Sequence, residues 1–140
     1  MKKSETAGEY FAGGFNCAAS VLASFCEEYD LDTELALKLA SGLGGGFTQG
    51  EICGAVSAAA IVVGLKHGMY IQGDLGAKAN CHAKTTQFLD EFRRKHGAVI
   101  CRDLLVDQPK GDDEESLKER RRFCVELVKS SADMLEELGY

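Results

Sequence analysis

Six cysteines carry most of the chemistry open to this chain: Cys17, Cys26, Cys53, Cys81, Cys101 and Cys124. A thiolate is a nucleophile, a redox group and a soft-metal ligand, and local electrostatics decide which thiol ionises. No two of them are spaced Cys-x-x-Cys, so any disulfide must be made by tertiary proximity. Cys17 has favourable surroundings. Asn16 is a good N-cap for a helix from Cys17 to Tyr29, which makes Cys17 its first residue. Free backbone N–H groups and the helix dipole there favour a thiolate. Cys53 lies where the glycine-rich turn Gly42–Gly46 runs into an apolar helix of small residues. Thr48 and Glu51 have capping-box spacing, so Thr48 reads as the N-cap and Cys53 as one turn inside a helix from about Gln49 to Lys66. Cys53 is the expected hub of a cysteine constellation gathered from several helices.

The other cysteines divide. Cys26 lies about 100° round the helix from Phe25, off the Cys17, Val21, Phe25 stripe, and its acidic neighbours Glu27 and Glu28 disfavour a thiolate. Cys81 falls on the stripe Ala77, Cys81, Thr85, Phe88, Phe92, which favours core packing. Cys101 has Arg102 to favour a thiolate and Asp103 to neutralise that effect. Cys124 follows the charged band Glu119–Arg122, where core packing and functional burial read equally well. His67 belongs near a helix C-terminus, and His82 and His96 match no zinc spacing with Cys81. With the three histidines far apart in sequence and no nucleophile motif, ordinary hydrolase chemistry is a poor fit. Gly44, Gly45 and Gly46 lack the Gly-Lys-Ser/Thr ending of a phosphate loop, so they read as backbone freedom or close approach to a cofactor.

These residues need elements to hold them. Glu5–Ala12 reads as a short helix stopped by Gly13-Gly14. Asp32 caps a helix from Thr33 to Ala40, with Leu35 and Leu39 on one face that Ala36 and Ala40 widen, and Gly42 as its C-cap residue. A long helix runs from Asp74 to His96, with Gly97 as its stop. Ala98–Leu105 reads as a helical turn carrying Cys101. Val106–Asp113, with the single proline Pro109, is a loop. The last helix runs from about Asp113 to Leu138, with Leu117, Arg121, Cys124 and Val128 on its long face. Arg120 and its neighbours read as a solvated band. No lasting period of two occurs, so the expected fold is all-α: one domain over residues 1–140, a bundle of about five or six helices with glycine-rich turns.

Composition agrees with that fold. The chain is 45% hydrophobic, enough for a real core without disulfides. A formal charge of -6 argues against broad nucleic-acid binding. The start, Met1-Lys2-Lys3-Ser4-Glu5, lacks the apolar core of a signal peptide. The apolar stretch Ala55–Leu65 is shorter than the roughly 20 residues a membrane span takes. A cytoplasmic protein with no stable membrane insertion is expected, and there many cysteines point to thiol chemistry or a metal.

Several of these segments occur together in one known order. Gly14-Phe15-Asn16-Cys17-Ala18-Ala19, Gly44-Gly45-Gly46, Cys53-Gly54-Ala55-Val56-Ser57-Ala58, Cys101-Arg102-Asp103-Leu104-Leu105 and then Cys124 together resemble a family named for its cysteine, Cys-Gly-Ala-x-x-Gly, cysteine, cysteine pattern. The resemblance spans nearly the whole chain. It departs at Ala58, which stands where the motif ends in glycine. The family is regarded as redox-active mainly because of its cysteines, which correspond here to Cys17, Cys53, Cys101 and Cys124. Two versions of that chemistry stay open. Cys17 and Cys53 exchange between dithiol and disulfide, or all four ligate an iron–sulfur cluster or other soft metal. A non-enzymatic metal-binding module and a helical interaction protein, homodimeric with inert cysteines, are the alternatives. The redox reading implies a redox partner protein.

Overall fold

The computed structural model describes residues 1–140 and is all-helical. Seven α-helices, rather than five or six, follow one another: α1 (Lys3–Ala12), α2 (Cys17–Ser24), α3 (Thr33–Ala40), α4 (Gly54–His67), α5 (Leu75–His96), α6 (Cys101–Leu104) and α7 (Glu114–Glu137). The additional count comes from the single turn α6. No helix is long and apolar enough to cross a membrane.

The core forms around α2 and α4. Every residue from Ala18 to Ser24 is buried, and α2 packs against α1, α3, α4 and α7. A helix apolar all round can sit only in the middle of a bundle. Its short side chains, like the Ala58-Ala59 pair of α4, let neighbouring helices approach closely. Phe25, Phe88, Phe92 and Leu135 fill the larger spaces and are fully enclosed. Ser131 on α7 donates to the carbonyl of Ala55 at 2.8 Å, tying the last helix to the first turn of α4.

Local signals set several boundaries. The Asn16 carboxamide oxygen accepts from the Ala19 N–H at 2.8 Å, so α2 begins at Cys17 as its sequence demands. Asp32 and Asp74 cap α3 and α5 in the same way, and Gly97, with φ 84°, ends α5.

Four expectations are corrected. First, α2 stops at Ser24 rather than Tyr29, and a 3-10 turn, Glu27–Tyr29, follows. Cys26 is buried at that break, its thiol donating to the Leu22 carbonyl. Second, Leu35 and Leu39 face outward, while Ala36 and Ala40 pack inward. Close approach to α2 selects the smaller side chains. Third, Gly42 does not cap α3; a 3-10 turn, Ser41–Leu43, continues from it. Fourth, Thr48 is not an N-cap. Its φ is +59°, whereas an N-cap is normally extended. Gly45, Gly46, Phe47 and Thr48 have positive φ in succession, a left-handed turn. The chain then runs extended. Cys53 N–H donates to Val99 O at 2.8 Å, Cys101 N–H donates to Glu51 O, and Ile52 pairs antiparallel with Ile100. That tertiary pairing overrides the local capping signal and delays α4 to Gly54, with Cys53 as the residue that precedes it.

Candidate functional site: four cysteines around one cavity

The delayed start of α4 brings two helix N-termini together. Cys17 opens α2, and Cys53-Gly54 opens α4. The Cys17 sulfur rests directly against Gly54, where a Cβ would overlap it. Glycine is therefore a steric requirement at this position. Asn16 supports the arrangement from the other side. Its amide nitrogen donates to Ser41 O at 2.9 Å, and its side chain lies where a Cβ on Gly44 would stand.

Every neighbour of the Cys17 sulfur that hydrogen-bonds it favours the thiolate. The Cys53 thiol contributes most, as a donor. The backbone N–H groups of Gly45, Ala18 and Gly54 add to it. Burial opposes ionisation but is outweighed, and the Cys17 pKa falls from 9.0 to about 6. Ala18 and Gly54 are first-turn residues of α2 and α4, so their amides have no partner inside their helices. Gly45 reaches the same sulfur from the left-handed turn.

Cys53 shows the complementary behaviour. Its hydrogen bond to Cys17 holds the proton, and burial and the negative charge of Cys17 reinforce this, so its pKa is raised. The two thiols thus form an unequal pair, with Cys17 the more acidic and Cys53 the one that keeps its proton. Cys101 is pushed up by burial and by the charge of Cys17. Cys124 is raised to about 11, by burial first and then by the charges of Cys17 and Cys101, against the lowering effect of Arg121 and Arg120.

All four cysteines line one cavity of about 220 Å³. Phe11, Leu104, Leu105, Leu117 and Leu127 supply much of its wall, and Arg120 and Arg121 reach into it from α7. Gly45 lines it too, Gly46 packs beneath Cys101, and Gly44 packs on Asn16. Cys26, Cys81 and the three histidines lie elsewhere. His67 ends α4 beside the Tyr140 ring, and His96 ends α5 at 2.8 Å from the Ser130 hydroxyl. The six cysteines are free thiols. As placed, no three Cys, His, Asp or Glu side chains form a metal-binding group, so the four cavity cysteines do not make a closed ligand set.

Arg120 and Arg121 are the cavity residues that the sequence reading passed over as part of a solvated band. The signal was present: Arg121 falls on the same helical stripe as Cys124 and Val128, where an apolar side chain would be expected.

The chain belongs to the family described as "Putative redox-active protein (C_GCAxxG_C_C)", whose model matches residues 15–138. Among curated proteins and among solved structures, nothing matches.

Proposed function

We propose that this protein is a thiol–disulfide redox protein in which Cys17 attacks and Cys53 resolves. The observation that carries the reading is the placement of Cys17 and Cys53 where α2 and α4 begin, with the Cys17 sulfur against Gly54 and both thiols lining one cavity; the lowered pKa of Cys17 and the raised pKa of Cys53 agree with it. In the forward direction the Cys17 thiolate attacks a substrate disulfide. The substrate S–S bond breaks, a mixed disulfide forms on Cys17, and one substrate sulfur leaves as a thiolate. Cys53 gives its proton to that leaving thiolate. Its sulfur then attacks Cys17, and the second substrate sulfur departs as a thiolate that takes its proton from solvent. The protein dithiol is oxidised to a disulfide and the substrate disulfide is reduced to two thiols; the reverse sequence restores the dithiol. Cys101 and Cys124, protonated near neutral pH, close the cavity around the pair.

The soft-metal version stays as the second reading, because a metal held by the four cavity cysteines would itself displace their protons. The test is a redox titration of the reduced protein followed by mass mapping of cysteine peptides. A Cys17–Cys53 link that C17S or C53S abolishes and C26S leaves intact is the expected result. A persistent absence of that link, or near-stoichiometric iron, zinc or copper in protein purified without oxygen, would overturn it.

A further inference from the structure

The thiol cavity adjoins a groove of about 510 Å³, and the two share Gly45, Cys101, Leu105 and Arg120. Apart from the Cys17 thiolate, every charged side chain lining either of them is basic: Arg120 and Arg121 in the cavity, with Arg102 and Lys110 added in the groove. This is notable in a chain with 22 acidic and 16 basic residues. Three of the four cations have no carboxylate partner; only Arg102 does, with Glu51 at 3.2 Å.

Backbone carbonyls hold the others in place. Arg120 donates to Pro109 O at 2.6 Å and Gly111 O at 2.7 Å, and Lys110 donates to Leu105 O at 2.6 Å. Arg121 donates to Phe11 O and lies over the Phe11 ring, 4.0 Å from its centroid. Neutral carbonyls orient these cations without cancelling their charge. Asp113 is near enough to feel the Arg120 charge, so Arg121 and Lys110 carry the positive charge that no carboxylate meets, and such charge in a cleft with apolar walls concentrates anions there. Further in, the walls are leucine and the nucleophile is Cys17.

We propose that the substrate of this site is a small anionic disulfide, its S–S bond and carbon body in the leucine-walled cavity and its acidic groups against Arg120, Arg121 and Lys110. This rests on the thiol–disulfide reading and supplies its oxidant. The size of the cavity limits the class, since about 220 Å³ is below the roughly 300–1,000 Å³ of pockets for drug-sized ligands.

The test compares disulfides of equal chemistry and different charge. The reduced full-length protein reacts separately with dithiodipropionate, hydroxyethyl disulfide and cystamine, which are dianionic, neutral and dicationic. Formation of the Cys17–Cys53 disulfide is followed by mass. Each rate is divided by the rate of the same disulfide with a free thiol in solution, which removes intrinsic reactivity. At low salt the dianionic probe is expected to exceed the neutral one by about tenfold or more, and cystamine to be slowest. Raising the salt to about 1 M should compress the series, because the Debye length falls to about 3 Å. The ratio should approach one in R120Q/R121Q and in K110Q should fall partway. The salt series needs no variant and so stands even if a substitution disturbs the loop that Arg120 holds.

Equal normalised rates for the three probes would overturn the proposal. So would rapid reaction with an acidic cysteine-containing peptide disulfide but not with dithiodipropionate, which would assign the basic groove to a protein partner. Failure of every disulfide to oxidise the pair would overturn the underlying thiol-exchange reading as well, and is distinguished by the neutral probe.

Discussion

The acidity of Cys17 can be measured directly, and Cys53→Ala is the perturbation that tests its source. With a pKa of about 6 instead of 9.0, Cys17 is about half ionised at pH 6. An ordinary thiol of pKa 9.0 is then only about 0.1% ionised. Thiolate nucleophilicity falls with pKa along a slope of about 0.4–0.5, so part of that gain is lost, about twentyfold over three units. Cys17 should therefore react with iodoacetamide about 25 times faster than an ordinary thiol at pH 6, but only about 5 times faster at pH 7. Acid pH gives the clearer contrast. The Cys53 hydrogen bond is the largest cause of the shift, and a bond to a charged group is worth about 1.5–3 kcal/mol. At about 1.4 kcal/mol per unit, C53A should move the midpoint from about 6 to about 7–8. The rate at pH 6 should then fall about 2–6-fold, while the plateau in alkali rises about 3–8-fold as the thiolate becomes more basic. Crossing profiles separate acidity from access, because a wider cavity would raise both limbs and leave the midpoint alone. The assay is alkylation against pH, read on the Cys17 peptide by mass. A wild-type midpoint in the ordinary thiol range, or a C53A midpoint still near 6, would refute the reasoning.

Other substitutions probe the support of the pair. Gly54→Ala puts a methyl into the Cys17 sulfur, so it should cost about 1–3 kcal/mol in urea unfolding and raise the Cys17 midpoint. Gly46→Ala meets a positive φ together with Glu51 backbone and the Cys101 Cβ, and should destabilise by at least about 2 kcal/mol in the same assay. Cys26→Ser changes a thiol that bonds Leu22 O away from the cavity, so the pH profile of Cys17 alkylation should stay the same.

What the sequence revealed was governed by how local each determinant is. Asn16 caps Cys17 within one turn, so the start of α2 and the polarity at its first residue are written in four consecutive residues. The same holds for Asp74 and Gly97 at the two ends of α5. Thr48 and Glu51 carried an equally good local signal, yet residues nearly fifty positions away prevailed, because Val99 and Cys101 pair with the segment before α4. Nothing in the spacing of Cys53 indicates an extended residue ahead of a helix rather than one inside it. Leu35 and Leu39 mislead in the reverse sense. Their stripe is amphipathic, but α3 turns its alanines to the core because α2 lies close. Meeting of the four cysteines at one cavity depended on α7 docking on α2 and α4 and on α6 packing against the Gly46–Gly50 turn, and no periodicity encodes that.

The sulfur of Cys17 draws its acidity from its neighbour Ala18 and from Gly45 and Cys53-Gly54, which lie in a segment well beyond it along the chain. In an unfolded or half-synthesised chain these groups are solvated and dispersed, and all six thiols have ordinary acidity. The nucleophile is therefore a product of assembly. A nascent chain is chemically quiet in mild acid and acquires a sulfur that reacts there only when α4 docks beside α2. Its rate of modification is then a clock for tertiary structure: a folding experiment that quenches with an alkylating reagent in mild acid would label completed molecules at Cys17 and leave unfinished ones largely unmarked.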